Sequence, residues 1–122
     1  MTEIYVKDAD VFESLMDGLY YYKLIELTKF VINLMGKMRI TPVVTSAYRK
    51  DDTGVHKYGR GIDFRTHHIT EDEIKTLCEV VNNRWVYDPK RPEKVCLMYH
   101  NVGKGPHLHL QAHQNTIERN KL

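Results

Sequence analysis

Gly105-Pro-His-Leu-His-Leu-Gln111, continued by Ala112, is the stretch whose reading decides the fold. On a β-strand, residues i and i+2 face the same way. His107, His109 and Gln111 therefore share one face, while Leu108, Leu110 and Ala112 take the other. A helix advances roughly 100° per residue, which would splay the two histidines by about 200° and leave the leucines without a common face. The segment is a strand with one apolar face on a core and one face bearing imidazoles.

Outward from it, Gly61–Arg65 reads as a second strand, with Ile62 and Phe64 on one face and Asp63 on the other. Val43-Val44-Thr45-Ser46 is a buried strand, and Arg49 to Tyr58 is a polar loop containing Asp51, Asp52 and Gly54. Leu24, Leu27, Val31, Leu34 and Met38 step by three and four and make the apolar stripe of a helix. Phe30 and Met35 widen that stripe, and Thr41-Pro42 stops it. Tyr20-Tyr21-Tyr22 at its start are expected to pack at the helix boundary. Thr70, with Glu73 three residues on, is a capping box for a helix whose inner stripe is Ile74, Leu77 and Val81. Asp8 or Asp10 caps a short helix through Met16 that Gly18 ends, and Glu3–Lys7 is a short strand. Arg84–Tyr87 and Lys94–His100 are expected to pair as a hairpin around Asp88-Pro-Lys-Arg-Pro92, with Asn101–Pro106 turning into the closing strand. These elements predict an α+β domain over residues 1–122: a mainly antiparallel sheet of about four or five strands with two or three helices.

The 122 residues are enough for one core, and 42% apolar with 28% charged residues is ordinary for a globular chain. There is no run of about 18 apolar residues to span a membrane. Met-Thr-Glu-Ile-Tyr-Val-Lys-Asp lacks the blocks of a signal peptide, so cytoplasmic synthesis is expected. A net charge of +2 does not call for a nucleic-acid partner, and no helix carries a recognisable nucleic-acid motif. The basic excess after residue 83 would suit an anionic substrate or a merely solvated surface. Cys78 and Cys96 are expected to be reduced and inert. Nothing in the pattern calls for more than a monomer.

The informative residue is histidine. All seven lie at or after position 56, and four fall between His100 and His113. His56 and Asp63 are an odd number apart, so a turn must intervene for both to serve one point. Gly59 and Gly61 give the backbone that freedom. His56, Asp63 and His109 would then meet on the sheet face opposite the apolar layer. Two imidazoles and a carboxylate with a fourth position left for water are a catalytic zinc shell, one ion per chain. Calcium or magnesium would want more oxygens.

Ser46-Ala-Tyr-Arg49, then His56-Lys-Tyr-Gly-Arg-Gly-Ile-Asp63, then His107-Leu-His109 resembles the VanY-type D-Ala-D-Ala carboxypeptidases. This zinc-peptidase family includes phage endolysins and is related to the amino-terminal domain of hedgehog proteins. The family pattern is Ser-Gly-Tyr-Arg, Ser-x-His-x-x-Gly-x-Ala-x-Asp and a late His, often in His-x-His. The match runs from about Val43 to Gln111. It implies a hedgehog/D,D-peptidase-like fold, with zinc held by His56, Asp63 and His109. Arg49 would steady substrate and oxyanion, and Ser46 and Tyr48 would lie beside the substrate. Gly54 stands where the family has Ser and Gly61 where it has Ala. No carboxylate lies in Asn101–Pro106, where the family places its general base. His107 is the first substitute for that base and His100 the second, and either could instead only orient a ligand.

The expected function is hydrolysis of a peptidoglycan peptide bond, as a D,D-carboxypeptidase or an L-Ala-D-Glu endopeptidase. A lysis enzyme of this type would reach the cell wall by release. Two other readings compete: a metal-binding module of the same fold without catalysis, and a histidine-triad-like nucleotide hydrolase suggested by His107-Leu-His-Leu-Gln111.

Overall fold

A computed structural model describes residues 4–18, 22–47, 61–101 and 105–122. In chain order the elements are β1 (Tyr5–Val6), α1 (Ala9–Gly18), α2 (Tyr22–Lys37), β2 (Val43–Ser46) and β3 (Gly61–Arg65). They continue with α3 (Glu71–Arg84), β4 (Trp85–Val86), β5 (Leu97–Asn101), β6 (Pro106–Gln111) and β7 (Ile117–Glu118), and end in a 3₁₀ turn over Arg119–Lys121. The architecture is α+β. Among the described residues, five strands form one sheet in the order β1-β2-β3-β6-β5, and β4 pairs with β7 in a separate ribbon. In the larger sheet β1 runs parallel to β2, and every other neighbouring pair is antiparallel.

Side chains open α1 and α3, and main-chain bonds close α2. The Asp8 carboxylate accepts from Val11 N at 2.9 Å and starts α1. Thr70 Oγ1 accepts from Glu73 N (3.1 Å) while Thr70 N donates to Glu73 Oε1 (2.9 Å), the reciprocal box that opens α3. Helix α2 stops at Lys37, ahead of Thr41-Pro42. Ile40 N donates to Met35 O (2.8 Å) and Arg39 N to Gly36 O (3.1 Å), with Arg39 at φ 60°. That is a Schellman closure with arginine in the left-handed position glycine usually takes. Tyr22 is exposed and lies against Lys23 instead of packing at the helix boundary; Tyr20 and Tyr21 lie outside the described residues.

Register confirms the two faces of the sheet. Ile62 sits opposite Leu110 and Phe64 opposite Leu108 across β3 and β6, and Leu97 of β5 is also opposite Leu110. These side chains join Leu27, Val31, Met35, Leu77 and Val81 of α2 and α3 in one buried cluster. Burying such a set is the main driving force for the fold, at about 25 cal/mol per Å² of apolar surface. Cys96 lies in the same core, where burial pushes its thiol up to about 12, and Cys78 is raised for the same reason; both are free.

The hairpin expected between Arg84–Tyr87 and Lys94–His100 does not form. Trp85 and Val86 pair with Glu118 and Ile117, while β5 pairs with β6. Asn82 of α3 occupies the start of β5 instead. Its carboxamide oxygen accepts from Cys96 N (3.1 Å) and Leu97 N (3.0 Å), and its NH₂ donates to Leu97 O (2.8 Å). The backbone groups that a hairpin partner would have bonded are thus taken by a side chain. Between the two segments Asp88 builds a turn, accepting from Lys90 N and Arg91 Nε.

Candidate metal centre

The polar face of the sheet is built by the same register that makes the core. Asp63 lies opposite His109, and His107 lies opposite both Arg65 and His100. A register shift between Val44 and Ser46 sets Ser46 opposite Asp63. An extra residue in one strand re-aims the side chains beyond it, so without this shift Thr45 would occupy that place.

Asp63, His107 and His109 converge. His109 Nδ1 lies 2.8 Å and His107 Nε2 3.8 Å from Asp63 Oδ1. One ligand atom from each residue falls within 4.8 Å of the others, so the group can hold a metal ion. Donors on a tetrahedral zinc with bonds of about 2.0–2.2 Å stand roughly 3.3 Å apart, and the two separations bracket that value. Asp63 and His109 are only 7% and 8% exposed, so water screens the cluster poorly.

The outer nitrogens of both rings are already engaged. His107 Nδ1 is 3.1 Å from Gly105 O, a carbonyl that can only accept, so that nitrogen carries a proton, and in the neutral ring Nε2 then presents a lone pair toward Asp63. Gly105 reaches this position at φ 106°, a conformation that glycine adopts readily. His109 Nε2 faces Gln111 Oε1 at 3.3 Å, and the Gln111 NH₂ donates to Val95 O at 2.9 Å, which fixes which end of the amide faces the ring. A neutral His109 therefore leaves one acceptor facing another, either at Asp63 or at Gln111. A cation at Nδ1 relieves the conflict, and the donor set fits a divalent metal.

His100 flanks the cluster. Its ring stacks on His109 (centroids 5.4 Å apart, 7° between planes) and meets His107 edge-on at 5.4 Å. Burial, and after it the imidazoles of His109 and His107, hold His100 below the ordinary imidazole range against the opposing pull of Asp63.

Of the residues expected at the site, Asp63, His109, His107, His100 and Ser46 are brought to one place. Tyr48, Arg49 and His56 lie outside the described residues. Two features went unread in the sequence. His107 is itself within ligand reach, and Gln111 contacts the ring of His109; their shared parity with His109 along β6 was the available signal. His68 and His113 lie elsewhere, the first against Thr41 O and the second beside Asp88. No protein-family model, no curated protein and no solved structure matches this chain.

Proposed function

We propose that the chain is a zinc-dependent peptidase that hydrolyses an amide bond in peptidoglycan peptides, of the D-Ala-D-Ala carboxypeptidase or endolysin type, on a hedgehog/D,D-peptidase-like fold. The observation that carries this reading is the convergence of Asp63 Oδ1, His107 Nε2 and His109 Nδ1, with the outer nitrogen of each ring tied to an oxygen. The three sequence motifs add to it, because they bring Ser46 and Asp63 together where the register also sets them opposite one another.

Asp63 and His109 are the fixed part of the ion's shell, and His56 and His107 compete for the third place. Zinc, when bound, supplies Lewis acidity that polarises a carbonyl and acidifies water. Where His56 fills the shell, His107 is left with a lone pair at Nε2 and serves as the base that receives a proton. His100, whose pKa its surroundings lower, is the next group along to pass that proton on. Arg49 stabilises negative charge developing on the carbonyl oxygen, and Ser46 and Tyr48 hold the peptide.

The test is zinc content by elemental analysis, together with release of new amino groups from purified wall fragments and D-Ala-D-Ala. The expected result is about one zinc per chain and turnover abolished by a chelator. His56→Ala loses the metal if His56 is a ligand; His107→Ala keeps metal but loses turnover if His107 is the base. A second reading, a metal-binding module without catalysis, is favoured by the lack of any carboxylate in residues 101–106. Zinc-loaded protein without turnover on any wall peptide would establish it.

A further inference from the structure

Gln111 is polar, 8% exposed, and sits at the core-ward end of the imidazole-bearing face of β6. Its amide is held at both ends: the NH₂ donates to Val95 O at 2.9 Å, and the oxygen lies 3.3 Å from His109 Nε2. Its own backbone N donates to Cys96 O at 2.8 Å, so the main chain from which the side chain extends is fixed as well. An amide clamped in this way cannot flip to offer its NH₂ to the ring without breaking the bond to Val95. Only a protonated Nε2 suits it.

We propose that Gln111 is a positioning residue for the metal centre: by demanding the proton at His109 Nε2, it dedicates His109 Nδ1 to the ion beside Asp63. The inference rests on the metal reading above and adds to it the choice of ligating nitrogen. Without Gln111, the 2.8 Å approach of His109 Nδ1 to Asp63 Oδ1 would draw the ring proton to Nδ1. The ion would then have to displace that proton before it could bind. Partners that orient a ligating histidine in this way typically change metal affinity by about 10–100-fold when removed.

Three measurements on the full chain test it. First, the zinc dissociation constant by competition with a chromophoric chelator should rise about 10–100-fold in Gln111→Leu. Second, Gln111→Glu should stay within about threefold of the native value, because a carboxylate also accepts from Nε2–H. That variant loses the donation to Val95 O, so its melting temperature should fall; a residue with a purely structural role would make both variants lose melting temperature and affinity together. Third, cadmium-113-loaded native protein with nitrogen-15-labelled histidine should show the metal coupling at His109 Nδ1 and a proton at Nε2, a readout that needs no variant. Coupling at Nε2, or a Gln111→Leu protein that binds zinc as tightly as native, overturns the role of Gln111 and leaves the metal reading standing. Native protein that binds neither zinc nor cadmium removes both.

Discussion

Replacing Asp63 by Asn separates the two states of the site most sharply. The substitution keeps shape, removes a charge, and turns one acceptor into a donor. In the native chain, ring nitrogens of His109 and His107 lie 2.8 and 3.8 Å from the Asp63 carboxylate, where a cation would bring all three groups together. Zinc binding to the folded state alone adds about 2.7 kcal/mol of stability when free zinc is about 100 times its dissociation constant. Unfolding entropy of roughly 2.1 cal/mol/K per residue, taken over 122 residues, converts that to a rise of about 10 °C in Tm. The assay is thermal denaturation at pH 8, above the ordinary imidazole range, of chelator-treated protein with and without added zinc. Native protein should show the rise, and Asp63→Asn should lose most of it. The metal-free variant should be at least as stable as metal-free native protein, since the Asn NH₂ can donate to His109 Nδ1 while Nε2–H still donates to Gln111. An Asp63→Asn protein that is less stable without metal, yet keeps the full zinc shift, would refute the reasoning.

Arg39→Gly should raise stability by about 0.5–1 kcal/mol, because Arg39 holds φ 60° at the closure of α2 and glycine takes that conformation without the side-chain clash; chemical denaturation measures it. Leu77→Ala removes a side chain that is fully buried where α3 meets the core and should cost about 2–5 kcal/mol, with zinc stoichiometry unchanged. Asp88 is held below the usual carboxylate range: burial works to raise it, but donation from Lys90 N, Arg91 and Asn115 outweighs this. A lowered folded value means that its contribution is fully present above about pH 4 and is lost as pH falls through the folded value. Asp88→Asn should therefore lower Tm at neutral pH, and its difference from native should shrink as the pH is taken from about 4 downward; an equal deficit throughout would assign the effect to packing alone.

The sequence by itself determined every element whose signal is local. Alternation along His107–Ala112 and Gly61–Arg65 placed two strands and told their faces apart, since side chains on a strand repeat every two residues whatever the strand pairs with. The Thr70–Glu73 box and the stripe of α2 were legible for the same reason: both are bonds or contacts within a turn or two of chain. Pairing partners were not legible. Trp85–Val86 joins Ile117–Glu118, and Asn82 takes the backbone of Cys96 and Leu97 from another element; both are long-range choices that no local pattern encodes. The site divides the same way. Parity could say that His107, His109 and Gln111 share a face with Asp63, but only tertiary register set Asp63 beside His109. The ring contacts with Gly105 O and Gln111 Oε1 lie between residues two apart on one segment, but the bond to Val95 O that fixes which end of the Gln111 amide meets His109 comes from sixteen residues away.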